Sequence, residues 1–327
     1  MTNTNNKLLE LFINSPGEYV SGEMISQQFN VSRTAIWKQI KKLESAGYQF
    51  EASRKLGYRL IAIPDKLSVA EITEKLQASV FGRSIHWFNE VDSTQNLAKK
   101  LAEEGAPEGT LIIAEQQMNG RGRMGRAWVS PQGKGIWMSL IMRPSVPIHF
   151  APQLTLLTAV ALCRSLNRMT SLPIGIKWPN DLLIAGKKIS GILLESVAEE
   201  ERLRYVIAGI GISVNLEEGD YPPELLDRAT SLRIAKGDKL NRADIIADFM
   251  QEWEQLYFLY QEQGFAPIVT LWEALSVSLN RPARLTTPQG VIEGVPVGLD
   301  QSGAIAVKQN DGSTVLVFSA EMGEPLD

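Results

Sequence analysis

Residues 21–47 confine the head of this chain to one plan. Ser21 is placed to cap a short helix, with Glu23 in its first turn and Met24, Ile25 and Phe29 as its apolar positions. Only the Asn30-Val31 turn separates that helix from Ser32, which caps a further helix expected over 33–46 and stopped by Gly47. Within it, Ile36, Ile40 and Leu43 recur at i, i+4 and i+7 and face a core. Arg33, Thr34, Trp37, Lys38 and Lys41 take the other side. Two capped helices around so short a turn, the second basic on its outer face, make a helix-turn-helix. A segment over 7–14 with Leu8, Leu11 and Phe12 at helical spacing precedes it and breaks at Pro16-Gly17. A hairpin wing follows. Tyr48, Phe50 and Ala52 alternate on one strand, Tyr58 and Leu60 on the return, and Arg54 and Lys55 sit near the tip. In this arrangement the basic helix enters the major groove and the wing touches phosphate, which gives affinity with little sequence information. Ser21, Gly22 and Ser32, at the helix starts, complete the set expected to face DNA. The alternative is a small helical bundle used for protein contacts.

Charge divides the chain at the same place. Residues 1–64 hold eight Lys/Arg and five Asp/Glu, a balance of +3, which leaves −7 on the rest of a chain whose net charge is −4. A basic head on an acidic body directs only the head to a polyanion. The chain has a single cysteine, Cys163, and two histidines, His86 and His149, so an intramolecular disulfide is excluded and a Cys/His zinc site is disfavoured. No apolar run approaches the roughly 18 residues of a membrane span, and Met1 to Asn6 lack the layout of a signal peptide. The expectation is a soluble, cytoplasmic protein that does not engage membranes.

Beyond Pro64-Asp65, a linker helix is expected over 69–77. Strands over 85–90, 110–115, 137–142, 174–178, 182–184, 189–195 and 205–214 then alternate with helices over 95–104 and 154–169, and Asn241 caps a long helix. The sharpest local feature is Gly120-Arg121-Gly122-Arg123-Met124-Gly125-Arg126. It has the letters of a dinucleotide fingerprint, but the following Ala127-Trp128-Val129-Ser130-Pro131 cannot open the required helix. A phosphate-binding Walker loop fails too, because Gly133-Lys134 is followed by Gly135. Three arginines on a glycine-softened backbone can instead fold around an anion; the bland alternative is a flexible basic surface loop. A second cluster is Lys177-Trp178-Pro179-Asn180-Asp181, followed by Lys187-Lys188-Ile189-Ser190-Gly191; a third is Gly209-Ile210-Gly211-Ile212-Ser213-Val214-Asn215. Cations, one carboxylate, amides and tryptophans, with no histidine base or nucleophilic cysteine, suit phosphoryl or adenylyl transfer.

These pieces, with Val91-Asp92-Ser93-Thr94 and Gln117, resemble in order and over nearly the whole length the bifunctional biotin–protein ligases that also repress the biotin operon. The resemblance implies that biotin and Mg-ATP give biotinyl-5′-AMP, and that a lysine of the biotin carboxyl carrier protein of acetyl-CoA carboxylase then takes the biotinyl group. It implies biotin contacts from Ser93, Thr94, Gln95, Gln117, Gly120, Arg121, Gly122, Arg123, Lys188 and Gly191. Adenylate contacts would come from Arg121, Arg123, Trp128, Lys177, Asn180, Ser213 and Asn215. Arg123, Lys188 and Asp181 would be catalytic, with Asp181 orienting or deprotonating the incoming lysine, and no metal site is fixed by protein alone, so that Mg2+ comes with ATP. It further implies operator DNA as a partner, biotinyl-5′-AMP as corepressor and a homodimer when adenylate-bound. Ser213 departs from the usual asparagine, and Met124 from a basic residue in some relatives. A repressor without catalysis and a lipoate or octanoate ligase are the competing readings. Complete Arg121, Arg123, Lys188 and Asp181 argue against the first, and the arginine-glycine loop against the second.

From about residue 280 the chain is turn-rich and β-like, with Asp300-Gln301-Ser302-Gly303 and Asn310-Asp311-Gly312 between alternating runs. The expected architecture is multidomain α+β: a winged helix-turn-helix over 1–64, a mixed-sheet α/β ligase domain over 65–275, and a small SH3-like β-barrel over 276–327.

Overall fold

The structure of the protein, a computed structural model, describes residues 3–45, 48–53, 55–62, 66–76 and 80–323. The helix stop at Ala46-Gly47, the wing residue Arg54, the boundary at Pro64-Asp65 and the linker-helix end at Gln77 lie outside the described residues. The chain forms two compact units, Met1–Lys66 and Leu67–Asp327.

In the first unit the order is α1 (Asn3–Ile13), α2 (Gly22–Phe29), α3 (Arg33–Ser45), β1 (Gln49–Ser53) and β2 (Gly57–Ala62). Ser21 accepts the Met24 amide at 3.0 Å, and Ser32 accepts that of Ala35 at 3.2 Å, so both expected caps satisfy a free N–H. Asn30 ends α2 in the left-handed region, at φ 51°. Leu8, Phe12, Val20, Ile25, Ile36, Ile40 and Leu43 form the core, with Tyr48, Phe50, Tyr58 and Leu60 packed against it. Ala52 differs from expectation: it is exposed although it pairs with Tyr58, because its single methyl does not reach the core that the larger Phe50 and Tyr58 rings touch. Gly57 is needed as glycine. Its φ is +101°, and a Cβ there would meet the Val20 carbonyl oxygen at 2.1 Å.

The second unit is built on a seven-stranded sheet of order β3-β4-β5-β9-β8-β7-β6. Its strands are β3 (Ile85–Phe88), β4 (Leu111–Ala114), β5 (Ile136–Met142), β6 (Ile174–Lys177), β7 (Asp181–Ile184), β8 (Lys187–Glu199) and β9 (Arg202–Ile212). The β3–β4 pair is parallel and the others are antiparallel. The helices are α4 (Val69–Leu76), α5 (Thr94–Glu103), α6 (Ala151–Thr170), α7 (Leu232–Lys236), α8 (Arg242–Gln263) and α9 (Ala266–Leu275). Strand alternation sorts the two faces. Met138, Leu140, Met142, Ala208, Ile210 and Ile212 enter the large core with α6 and α8. Ile112, Ile141, Tyr205 and Ile207 point the other way and take Ala98 and Ala102 of α5. At the first residues of α5 the same face continues as Ser139, Gly209 and Gly211, small residues that form a floor under Thr94, Gln95 and Trp128.

The tail forms an antiparallel sheet of order β13-β12-β11-β10-β14, from β10 (Ala283–Thr287), β11 (Gly290–Leu299), β12 (Ile305–Lys308), β13 (Thr314–Val317) and β14 (Glu321–Met322). Among the described residues β13 and β14 remain its two edges, so the expected barrel is met as a β-rich sheet and not as a closed cylinder. Leu285, Ile305, Val307, Val317 and Met322 join the large core of the seven-stranded sheet. No helix among the described residues is long and apolar enough to cross a membrane.

Candidate functional site

This floor is part of a cleft of 1450 Å³. Its back wall is the start of α5. Ser93 is the N-cap and accepts the Gln95 amide. The Thr94 amide and hydroxyl both donate to Gln117 Oε1, at 2.9 and 3.0 Å. Ser139 donates to Thr94 Oγ1 at 2.9 Å and to Gln95 Oε1 at 3.0 Å, and Gln117 Nε2 donates to Ser130 at 3.1 Å. This end is a preset array of hydroxyls and amides, which a polar ring requires if it is to be buried without loss.

Trp128 lies on the floor. Gly191 and Gly211 pair across β8 and β9, and a Cβ on Gly211 would come within 2.5 Å of the indole. Only glycine lets a flat ring rest on the strands here. The indole N–H is buried without a partner, and Lys188 Nζ stands 5.2 Å from the ring centroid.

The front of the cleft is cationic. Lys188 Nζ is 2.7 Å from Asp181 Oδ1, an ion pair that lacks hydrogen-bond alignment. Lys177 is the cross-strand partner of Asp181. Arg123 donates from Nη1 to Asn180 Oδ1 at 3.2 Å and from Nη2 to Ser319 Oγ at 3.0 Å. Burial pushes the pKa of its guanidinium down, opposed by the charge of Asp181. A half-buried cation in that condition gains when an anion is placed against it. Arg121 is committed elsewhere, to Asn96 at 2.6 Å and Glu195 at 3.2 Å.

Most residues expected at the site share this cleft: Ser93, Thr94, Gln95, Gln117, Arg121, Gly122, Arg123, Trp128, Lys177, Asn180, Asp181, Lys188, Gly191 and Ser213 all line it. Gly120 and Asn215 do not. Gly120 sits behind the lining, where a Cβ would strike Ser130, Gln117 and Trp128. The Asn215 amide is used on Leu240, donating to its carbonyl at 2.9 Å and accepting its N–H at 3.0 Å. Gln95 lines the cleft, yet its Nε2 is held by the Ile207 carbonyl at 3.2 Å. Sequence reasoning missed Asn96, Ser130, Glu195, Ser319 and Glu321; none lies inside the motifs they serve. Among the described residues no group of three His, Cys, Asp or Glu could hold a metal ion.

In the first unit Arg33, Thr34, Trp37, Lys38 and Lys41 are all exposed on α3, Trp37 at 49%. Arg33 pairs with Glu23 at 3.2 Å and Lys41 with Glu44 at 2.6 Å. Lys55 lies in the exposed hairpin turn.

Comparison with known proteins accounts for both units. Residues 87–213 match the biotin/lipoate A/B protein ligase family, 4–59 an HTH domain, and 278–322 the biotin protein ligase C terminal domain. The chain belongs to the biotin protein ligase family, in the form that joins a ligase to a DNA-binding repressor. It is 46% identical to the bifunctional ligase/repressor BirA of Bacillus subtilis over 96% of this chain and 97% of that one. With the Escherichia coli BirA it shares 29% over 93% and 92%. The biotin protein ligase from Aquifex aeolicus, solved in complex with biotin and ATP, superposes with a TM-score of 0.65 at 30% identity, over 74% of this chain and 98% of that one.

Proposed function

We infer that the cleft activates biotin with ATP and passes it to a lysine of the biotin carboxyl carrier protein of acetyl-CoA carboxylase, and that the head represses biotin genes with biotinyl-5′-AMP as corepressor. The observation that carries the reading is the placement of Arg123, Lys188 and Asp181 between a preset polar pocket and an indole on a glycine floor. The ureido ring is assigned to Ser93, Thr94 and Gln117, with Gln95 and Gly120 holding that pocket in shape. The valerate carboxylate then points toward Arg121, Gly122, Arg123, Lys188 and Gly191. Trp128, Lys177, Asn180 and Ser213 are assigned to the nucleotide, and Asn215 supports its strand from behind.

In the first step a biotin carboxylate oxygen bonds to the α-phosphorus, and the bond from that phosphorus to the bridging oxygen breaks, releasing pyrophosphate. Two anions must meet, so Arg123 and Lys188 act by neutralising charge where it builds up. Mg2+, when bound with ATP, offsets the charge of the phosphates. In the second step the lysine nitrogen bonds to the acyl carbon, AMP leaves, and Asp181 takes the amine proton as the Lys188 contact is exchanged.

On DNA, α3 is assigned to the major groove through Thr34, Trp37 and Lys38. Arg33, Lys41, Arg54 and Lys55 flank it on phosphate, as do Ser21, Gly22 and Ser32. The adenylate-bound form is assigned as a homodimer, matching a two-fold operator. The division of labour is placed at 1–64, 65–275 and 276–327, the last an SH3-like module. Mass spectrometry of a carrier domain incubated with this protein, biotin and Mg-ATP tests the ligase. A mass gain of one biotinyl group is expected, and an unmodified carrier rejects it.

A further inference from the structure

The loop from Gly120 to Trp128 is a bonded piece of structure. Arg121 and Ala127 form a bridge, the Gly122 amide donates to the Arg126 carbonyl at 2.7 Å, and Arg123–Gly125 is a 3-10 turn. Its root is tied by Arg121 to Asn96 and Glu195 and by Trp128 to the floor. Its apex is exposed at Met124, which has φ 57°. The apex is held by Asn180 on one side and by the tail sheet on the other. Arg123 Nη2 donates to Ser319 Oγ at 3.0 Å and to the Ala320 carbonyl at 3.5 Å, and Arg126 is ion-paired with Glu321. The receiving strand is anchored by burial and pairing. Ala320 and Met322 are buried on either side of Glu321, and β14 pairs with β10 at Thr286↔Glu321 and Leu285↔Met322. Ala320, Glu321 and Met322 also line the cleft.

We propose that Glu321, with Ser319, is a positioning residue for the ligase reaction: a fixed catch on the tail sheet that holds the arginine loop shut over the biotinyl-adenylate. A reactive mixed anhydride must be kept from water until the carrier lysine arrives. A loop rooted at one end and caught at its apex does this, and it opens by breaking one exposed ion pair, the two hydrogen bonds of Arg123 to the tail sheet and its bond to Asn180. The catch acts through Arg126 and Arg123 and touches no reacting atom.

The inference rests on the reading that the cleft makes adenylate, and the wild-type protein with biotin and Mg-ATP tests that reading first. If no adenylate forms there, the function assignment fails, whatever the catch does. Given adenylate, its escape rate is measured by rapid filtration for Arg126→Glu, Glu321→Arg and the double swap, with Glu321→Gln and Ser319→Ala as milder variants should a reversal not fold. Each reversal is expected to speed escape about fivefold and each milder variant about twofold. The swap should return to within about twofold of wild type, while biotin affinity without nucleotide stays unchanged. Escape at the wild-type rate in these variants overturns the proposal. So does a swap that loses as much as both single changes together, or biotin affinity that falls in step with escape.

Discussion

Replacing Arg123 with alanine separates charge neutralisation from binding more cleanly than any other single change in the cleft. The side chain holds no apolar core. It bridges the buried Asn180 amide and the exposed Ser319 hydroxyl, and its loss leaves the Asn180 oxygen short of a partner. The direct cost to folding is therefore that of one part-buried and one exposed charged hydrogen bond, about 1–3 kcal/mol. Its part in the reaction is larger. As carboxylate oxygen and phosphorus approach, negative charge concentrates where burial already lowers the pKa of this guanidinium. Removing a donor aimed at such charge costs about 2–4 kcal/mol, or roughly 30- to 1000-fold in rate. Arg123→Lys keeps the charge but loses the fork, and we expect it to recover part of that loss. Single-turnover pyrophosphate release, with saturating biotin and Mg-ATP, reads the step directly. Biotin affinity measured alone should fall by less than the rate, because Thr94 and Gln117 still hold the ring and only the carboxylate contact of Arg123 is lost. A folded Arg123→Ala protein that releases pyrophosphate at the wild-type rate refutes the assignment, and so does a variant whose only defect is a lower melting temperature.

Three further outcomes are expected. Removing residues 1–64 should abolish operator binding in a mobility-shift assay and leave substantial biotinylation; unchanged operator affinity would show that the head is not the reader. Thr34→Ala and Trp37→Ala should relax base preference by about 1–3 kcal/mol, whereas Arg54→Ala and Lys55→Ala should weaken all DNA alike and shallow the salt slope by roughly one unit each; the reverse pattern in salt-dependent titrations would invert the docking. Glu115→Gln strips half of a fully buried ion pair, with Arg242 Nη1 at 2.8 Å. It should cost about 3–5 kcal/mol in denaturant unfolding, and a loss below about 1 kcal/mol would mean that the pair is solvated.

What could be read in the sequence was local. Ser21, Ser32 and Asn241 are caps because short polar side chains satisfy the first amides of a helix, and all three do so here. The head was legible almost residue by residue, since its contacts join neighbours in the chain; Ala52 escaped because alternation says nothing of how far a side chain reaches. The clusters at 93–94, 117–128, 177–181 and 188–191 were visible as chemistry, but not their mutual geometry. Which arginine meets which wall depends on Glu195, 74 residues from Arg121, and Ser319, 196 residues from Arg123. Asn215 entered the expected nucleotide contacts through the resemblance alone; its commitment to Leu240 is a loop closure that no periodicity reports. The tail strands were legible from their turns, whereas the open β13 and β14 edges depend on pairing between strands, which alternation leaves unspecified.

The burial of the tail's inner face has a consequence for how the protein comes apart. Leu285, Ile305, Val307 and Val317 lie in one continuous apolar cluster with Trp253 and Phe249 of α8, while Leu8, Ile25 and Ile40 close a separate one in the head. Cooperativity follows shared cores rather than sequence modules. Three recognisable modules should therefore melt as two transitions, and a chain cut near residue 276 would lose more than its last fifty residues: it would bare the hydrophobic seam against which they fold, and aggregate.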